Sequence, residues 1–209
     1  MMPPPVVVVL AAGRGTRFDG QGHKLTQPFT DASVLGTTLS RVIQSRLPLV
    51  VVTTEALQAE ACRLVAQRDV LLLPNAEVHR GMARSIVAGV SARADASGWL
   101  ILPADMPLVQ PETLRAVAAA LPGHACVVPY YGGRRGHPVG FSAELFSELL
   151  ALSGDEGARR LPMRYPARAL ELQDPGVLVD IDTQRDLLAA RELAARSGPD
   201  GRETTQALS

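Results

Sequence analysis

Short apolar runs alternate with helical patterns along most of the chain. Runs without a helical period predict buried strands at 6–10, 47–54, 70–74, 99–105 and 125–131. Segments with apolar residues three or four positions apart predict helices at 33–46, 55–68, 80–94 and 111–121. Such alternation is typical of right-handed βαβ units, so we expect an α/β fold with a mostly parallel sheet.

The pattern changes after residue 131. Gly132 and Gly133, followed by RRGHPVGFS, predict a hairpin or sharp turn into another strand. The later elements are predicted as helices near 143–151 and 155–163, a strand at 167–173, an apolar run at 176–183 that ends in two acids, and a closing helix at 184–196. We therefore expect one domain over 1–196 with an inserted hairpin, and a flexible polar tail at 197–209.

Composition narrows the class of protein. The 209 residues are 46% hydrophobic and 20% charged, which indicates a globular chain with a sizeable core. The formal net charge is zero, so no global field would attract nucleic acid or an anionic membrane. The start lacks a basic n-region and its apolar run is short, so we expect no signal peptide or spanning helix, and a cytoplasmic protein. Cys62 and Cys126 are interpreted as buried small hydrophobes in a reducing compartment.

The first predicted strand runs into the loop LAAGRGTR. Gly13 and Gly15 can adopt positive φ angles, and a turn of small residues points successive N–H groups at an anion. Two arginines and Lys24 add positive charge, and ligands of open α/β sheets bind at the carboxyl ends of strands. The loop therefore predicts a phosphate site; the alternative is an ordinary βα turn with solvated arginines. It matches neither GxxxxGK[ST] nor GxGxxG, which excludes a P-loop and a dinucleotide fingerprint.

Acidic residues follow two other apolar runs. Asp105 ends WLILPAD at the edge where the first loop must also lie, and a carboxylate there can hold Mg²⁺ together with phosphates and water. The alternative for Asp105 is a turn or helix-capping residue. Asp180 and Asp182 lie at the end of the apolar run GVLVDIDT at 176–183, and either Asp182 or Thr183 could cap the helix that follows.

LAAG-x-G-T-R followed by Lys resembles the signature loop of nucleotidyltransferases with a GT-A-like Rossmann fold. It is most similar to the loop of molybdenum cofactor cytidylyltransferases and their guanylyltransferase relatives. The resemblance implies a three-layer α/β/α fold and a loop that holds the triphosphate, with Arg17 and Lys24 on phosphate oxygens. It implies nucleotide contacts by Leu10, Ala11, Ala12, Gly13 and Gly15. Members commonly have fewer residues between the Arg and the Lys than the six at 18–23.

Other segments resemble the same family in the same order. NAEVHRGMARSI resembles its Asn…Gly-Met-x-x-Ser segment over the nucleotide base, although an ordinary helix start is the alternative. ADMP resembles its metal motif, and the first acid of DIDT is the second ligand in relatives. RRGHPVGF resembles the RGHP-V segment at the second substrate, and GDEGAR at 154–159 resembles GD-x-GAR. The implied nucleotide contacts are Asn75, Gly81, Met82 and Ser85; the implied acceptor contacts are Arg135, Gly136, His137 and Pro138; the implied metal ligands are Asp105 and Asp180.

For some residues the sequence leaves the role open or favours a structural one. Asp182 is expected to cap a helix or to act outside the metal's ligand shell. His137 could be an acid or base, but nucleotidyl transfer needs little proton chemistry from the protein, so a structural role is preferred. His79 is interpreted as a solvated loop residue. Arg17, Lys24 and Asp105 are the expected catalytic residues.

The expected activity is Mg²⁺-dependent transfer of CMP from CTP to the terminal phosphate of a molybdopterin-type molybdenum cofactor, with release of pyrophosphate. The resemblance favours CTP because the loop reads LAAG, where guanylyltransferases tend to carry LAGG. The alternatives are a guanylyltransferase, a sugar-phosphate nucleotidyltransferase, or a non-catalytic nucleotide-binding module that delivers cofactor to a molybdenum hydroxylase. The expected partners are therefore CTP or GTP and the acceptor, with the molybdenum hydroxylase as a further partner, and with neither nucleic acid nor membrane.

Overall fold

The computed structural model describes residues 3–13, 15–79, 81–154 and 157–196. The strands in these ranges are β1 (Val6–Ala11), β2 (Leu49–Thr53), β3 (Val70–Leu72), β4 (Gly98–Pro103), β5 (Cys126–Tyr131), β6 (Arg134–Arg135), β7 (Val139–Ser142) and β8 (Ala167–Glu171). The helices are α1 (Val34–Ser45), α2 (Glu55–Cys62), α3 (Asn75–Val78), α4 (Met82–Ser91), α5 (Pro111–Ala120), α6 (Phe146–Leu150), α7 (Leu161–Arg164) and α8 (Gln184–Arg196). Short 3₁₀ helices occupy Lys24–Thr26, Gln67–Asp69, Ala143–Leu145 and Pro175–Leu178.

One mixed sheet organises the described chain, in the order β3-β2-β1-β4-β7-β5-β6, with β8 also paired to β5. Strands β1 to β4 pair in parallel, as do β5 and β8. The prediction of a mostly parallel α/β sheet is confirmed. The uninterrupted valines of β1 are explained by their position, because Val7 and Val9 pack in one core cluster and Val6 and Val8 in the other.

Helices cover both faces of the sheet. One core cluster includes residues of α1, α2, α5 and α8, and the other includes residues of α4, α6 and α7. This is the three-layer arrangement that the resemblance implied. Within the described residues, no helix combines the length and apolar character needed to cross a membrane.

The inserted hairpin brings an antiparallel strand into the sheet. β7 pairs antiparallel with both β4 and β5, and Val139 at its start lies opposite Ile101 near the end of β4. Residues 136–138, which precede β7, therefore enter from the edge where the parallel strands end. Gly136 packs so closely there that an added Cβ would lie 2.5 Å from the carbonyl oxygen of Val177.

The apolar run at 176–183 forms no β-strand. It begins as the 3₁₀ helix Pro175–Leu178 and continues without strand pairing. Asp174 explains this: its buried carboxylate accepts hydrogen bonds from the N–H of Gly176 at 2.9 Å, the N–H of Gln110 at 2.9 Å and the hydroxyl of Thr113 at 2.6 Å. Asp174 thus ties this segment to the start of α5 instead of to a neighbouring strand.

Several predicted boundaries are corrected. The helix predicted at 55–68 ends at Cys62, where the chain turns towards a 3₁₀ helix, and Cys62 is exposed, not buried as predicted. The helix predicted at 155–163 appears within the described residues only as α7, and α4 is shorter than 80–94. Residues 155–156 and the predicted tail at 197–209 lie outside the described residues.

Candidate active site

A cavity of about 500 Å³ opens at the carboxyl ends of β1 and β4. The predicted site residues that line it are Leu10, Ala12, Gly13, Gly15, Arg17, Lys24, Gly81, Met82, Ser85 and Asp105. They come from the first loop, the start of α4 and the segment after β4. The parallel strands thus bring together residues that are far apart in the sequence, because they all end at one edge.

The remaining predicted residues lie elsewhere. Ala11 is fully buried in the core cluster on the opposite face. Asn75 begins α3, and its side chain lies outside the description. Asp180 is exposed and does not line the cavity, nor does the segment 135–138.

The first loop forms one wall of the cavity. Gly15 has φ +61°, which requires glycine or strains another residue, and its carbonyl accepts a hydrogen bond from the N–H of Phe18 at 3.0 Å. A Cβ built on Gly13 would meet nothing within 4 Å, so open space adjoins the backbone there. A ligand can therefore approach the main chain of this turn closely.

Lys24 lies between two carboxylates at the base of the cavity. Its Nζ is 2.6 Å from Oδ2 of Asp105 and 2.8 Å from Oδ1 of Asp182. Arg17 contributes a third contact, with its Nη1 2.7 Å from Oδ2 of Asp182. The long loop before Lys24 therefore does not remove this lysine from the site; the Lys24 side chain is buried and points at the two acids.

The electrostatics of this cluster favour a cation. Burial lowers the pKa of Lys24, but the charges and hydrogen bonds of Asp105 and Asp182 outweigh burial, so the pKa is raised overall. Burial raises the pKa of Asp105, and the charges of Asp180 and Asp182 add to that rise against the opposing effect of Lys24. Oδ1 of Asp105 is buried and has no hydrogen-bond partner among the described residues. This oxygen is available to a cation or to a hydrogen-bond donor on a ligand.

The start of α8 corrects one prediction. The N–H of Thr183 donates to Oδ2 of Asp186 at 2.8 Å, and the N–H of Asp186 donates to Oγ1 of Thr183 at 3.2 Å. These reciprocal bonds resemble a capping box, so Thr183 caps the helix. Of the two capping residues that the sequence left open, Thr183 is therefore correct and Asp182 is wrong, because the carboxylate oxygens of Asp182 contact Lys24 and Arg17; the expected role of Asp182 outside the metal's ligand shell stays a prediction.

The opposite wall is formed by the start of α4. Gly81 precedes the helix with φ 90° and no side-chain cap, and Ser85 is buried one turn later. Met82 is 49% exposed at the cavity. The N–H groups of Ala83 and Arg84 donate to the carbonyls of Gly154 and Gly81, so the exposed thioether of Met82 is what this wall offers to a flat apolar ring.

The predicted acceptor segment borders this cavity. The N–H of His137 donates to the carbonyl of Val177 at 3.0 Å. Burial, assisted by the positive charge of Arg135, lowers the pKa of His137 to about 4. The charge of Asp180 acts on both His137 and Asp105, so it lies within electrostatic range of the acceptor segment and of the cavity. Arg135 is exposed.

The sequence did not single out some of the residues that line the cavity. Thr16 and Leu25 also line the cavity. Their sequence signal was indirect, since each is adjacent to a residue that was predicted, Arg17 or Lys24. Val78 reaches it from α3, a helix of four residues that is too short for a periodic pattern. Asp182 lines the cavity, although the sequence favoured Asp180 as the metal ligand. The sequence gives no signal for which of two acids two positions apart faces the cavity.

Comparison with known proteins identifies relatives over nearly the whole chain. A family model described as a MobA-like NTP transferase domain matches residues 7–169. The purine catabolism protein PucB of Bacillus subtilis (strain 168) is 32% identical over 191 residues, covering 86% of this chain and 92% of PucB. The molybdenum cofactor cytidylyltransferase of Escherichia coli (strain K12) is 22% identical over 185 residues, covering 88% and 94%.

Solved structures have the same fold. The crystal structure of Rv0371c from Mycobacterium tuberculosis H37Rv gives a TM-score of 0.80 at 31% identity, covering 92% of this chain and 99% of that one. The crystal structure of a complex of Rv0371c with manganese gives a TM-score of 0.77 at 31% identity, covering 92% of this chain and 100% of that one. A nucleotidyl transferase from Methanothermobacter thermautotroptrophicus (Mth528) gives 0.77 at 26% identity, covering 92% and 98%. With the family model spanning most of its length, this chain is a nucleotidyltransferase that belongs to the MobA-like NTP transferase family.

Proposed function

We propose that this nucleotidyltransferase transfers CMP from CTP to the terminal phosphate of a molybdopterin-type molybdenum cofactor and releases pyrophosphate. The observation that carries the proposal is the shared cavity in which the glycine turn faces Lys24 and Asp105. A triphosphate on the turn would meet both arginine and lysine there. The nucleotide and the acceptor are suggested by the LAAG loop and by the similarity to the molybdenum cofactor cytidylyltransferase of Escherichia coli.

The reaction requires positioning more than proton transfer. An oxygen of the acceptor's terminal phosphate attacks the α-phosphorus of CTP; that P–O bond forms as the bond to the β-phosphate breaks, and the electron pair leaves with pyrophosphate. Arg17 and Lys24 would stabilise the departing pyrophosphate. The attacking phosphate is already ionised, so the reaction needs no general base, and a histidine with a pKa of about 4 would be a weak one.

The residues present fit a divalent cation. Mg²⁺ takes one or two carboxylates, with phosphates and water as its other ligands. Within the described part of the chain, no group of three or more His, Cys, Asp or Glu side chains is placed to hold a metal alone, which agrees with that ligand count. The free Oδ1 of Asp105 would be one ligand. When bound, the ion neutralises charge that develops on the phosphates.

The second metal ligand has two candidates. The resemblance favoured Asp180, which stays a prediction. The geometry supports Asp182, because its carboxylate and that of Asp105 converge on one cation, the ammonium of Lys24. We therefore propose Asp105 with Asp182, and Asp180 as a nearby charge that strengthens binding.

A nucleotidyl transfer with another donor or another acceptor is the second candidate activity. The purine catabolism protein PucB is more similar to this chain than the cytidylyltransferase is, at 32% against 22% identity. The same cavity would serve GTP as donor, or a sugar phosphate or another phosphorylated small molecule as acceptor. A non-catalytic delivery module would not need a free carboxylate oxygen beside a buried lysine.

Pyrophosphate release tests the proposal. The purified protein is incubated with Mg²⁺ and CTP, GTP, UTP or ATP, each with molybdopterin-type cofactor, with a sugar 1-phosphate, or with no acceptor. Release from CTP with the pterin acceptor alone is expected. Release with the sugar phosphate would support the second candidate, and nucleotide binding without release from any pair would support the delivery module.

A further inference from the structure

The loop between Arg17 and Lys24 has its own set of contacts. Phe18 packs against the core cluster beneath the first strand, and Oδ1 of Asp19 accepts a hydrogen bond from the N–H of Gln184 at 3.0 Å, at the start of α8. The side chain of Gln27 donates to the carbonyl of Gln21 at 2.7 Å. The added length is therefore anchored to α8 and to the chain after Lys24.

His23 joins the two parts of the proposed triphosphate site. Its Nδ1 accepts a hydrogen bond from the N–H of Leu25 at 3.2 Å, which makes it the cap of the 3₁₀ helix that begins at Lys24. Because Nδ1 is the acceptor, the neutral ring carries its proton on Nε2. Nε2 lies 3.0 Å from the carbonyl oxygen of Gly13 and donates to it. One ring thus bridges the glycine turn and the helix that bears the lysine.

The ring supports the turn from outside the cavity. A Cβ built on Gly15 would lie 3.5 Å from Nε2 of His23 and 3.4 Å from Cγ of Lys24, so the turn packs on both side chains. Gly13, Gly15 and Lys24 line the cavity, whereas His23 is not part of its lining. His23 can therefore act on a bound nucleotide only through the groups that it holds.

We propose that His23 is a positioning residue of the nucleotide site, whose ring fixes the glycine turn at the distance from Lys24 that a triphosphate needs. The proposal rests on the proposed function insofar as the turn binds a nucleoside triphosphate. Lys24 is held by Asp105 and Asp182, so the turn is the part that would relax if the ring were lost. A turn that must be ordered upon binding gives weaker affinity than one already in place.

Two substitutions separate this role from helix capping. Asparagine is a good N-cap, so His23→Asn retains a hydrogen bond to the N–H of Leu25, but its side chain is too short to reach Gly13 as well. His23→Ala removes both bonds. His124→Asn is the matched control, since the ring of His124 also contacts a backbone carbonyl, that of Ala120 at 3.0 Å, far from the cavity.

We expect both His23 variants to raise the Kd of CTP about fivefold, the size expected for the loss of one net hydrogen bond. The KM for CTP should rise similarly while kcat changes little, because the turn holds the triphosphate before and during the reaction. His23→Asn should melt near the wild type and His23→Ala lower. Without ligand, hydrogen exchange in a peptide covering 11–18 should be faster in both variants than in the wild type or His124→Asn.

Other outcomes overturn the proposal in distinguishable ways. If His23→Asn binds CTP as the wild type does and its exchange at 11–18 is unchanged, the ring only caps the helix. If the wild type binds none of the four nucleoside triphosphates, the proposed function fails and the positioning role fails with it. The exchange measurement needs no nucleotide, so it separates the first failure from the second.

Discussion

The proposed nucleotide side and the proposed acceptor side of this protein are built differently. On the proposed nucleotide side, Lys24 bonds the carboxylates of Asp105 and Asp182 in a partly buried cluster at the carboxyl ends of the parallel strands. On the acceptor side, Arg135 is exposed on a two-residue strand, next to an antiparallel insertion. The difference indicates that the groups proposed for a triphosphate are held in place before it binds, whereas Arg135, proposed for the second substrate, is open to solvent. A site of this kind can keep its chemistry while its acceptor varies.

Asp105→Asn should have the largest effect, because it alters the carboxylate on which the nucleotide side depends. We expect pyrophosphate release to fall by roughly a thousandfold, the scale seen when one group that stabilises transition-state charge is lost. The fold should survive, since Lys24 keeps Asp182 as a partner. Turnover is followed by a pyrophosphate assay and folding by circular dichroism; a folded variant with unchanged turnover would remove Asp105 from the mechanism.

Asp182→Asn and Asp180→Asn test which of these two aspartates, together with Asp105, holds the metal on the proposed nucleotide side. If Asp182 is the second ligand, its variant should weaken Mn²⁺ binding in the presence of CTP about tenfold, and the Asp180 variant by less, because Asp180 acts only as a nearby charge. Electron paramagnetic resonance of free Mn²⁺ measures both affinities. A larger loss in Asp180→Asn would restore the assignment that the sequence favoured.

Arg135→Ala tests whether the acceptor side is independent. We expect the KM for the acceptor to rise about tenfold, as for one lost charge-assisted hydrogen bond, with the Kd of CTP unchanged. Arg134→Ala is the matched control, because neighbouring residues of a strand point to opposite faces. Equal losses in both variants would mean that general positive charge, rather than a specific contact, attracts the acceptor.

The pH dependence of stability tests the half-buried ring of His137 in the proposed acceptor segment. The folded pKa of His137 is lowered to about 4 from 6.5, so its contribution is fully present above pH 6.5 and is lost as the pH falls towards 4. We expect a loss on the order of 3 kcal/mol over this window from this residue, because each unit of pKa change corresponds to about 1.4 kcal/mol. Urea unfolding between pH 7 and pH 4 should show a shallower dependence in His137→Asn; an identical slope would contradict the burial of the neutral ring.

The sequence predicted the nucleotide side well where local pattern and position coincide. The helix predicted at 33–46 is α1 at Val34–Ser45, and the four valines of β1 are buried on both faces as expected. The position of Asp105 followed from a strand that ends in an acid. In each case the information lies within a few residues of the feature.

The sequence could not predict contacts between distant segments. Lys24 is 81 residues from Asp105 and 158 from Asp182, so no local pattern reports their pairing. The run before Asp180 has the apolar pattern of a strand, but the hydrogen bonds of Asp174 to the start of α5 hold it in another conformation. His23 appeared in the sequence only as one polar loop residue, because its importance depends on reaching Gly13.

The segment after Asp174 is anchored at both of its ends. Asp174 fixes one end of residues 175–183 against α5, and the reciprocal bonds of Thr183 with Asp186 fix the other end against α8. Neither attachment uses the exposed side chain of Asp180, whereas the neighbouring Ile181 is buried in the core. A substitution at Asp180 can therefore change the charge that faces a second substrate while the supports on both sides of the segment stay in place.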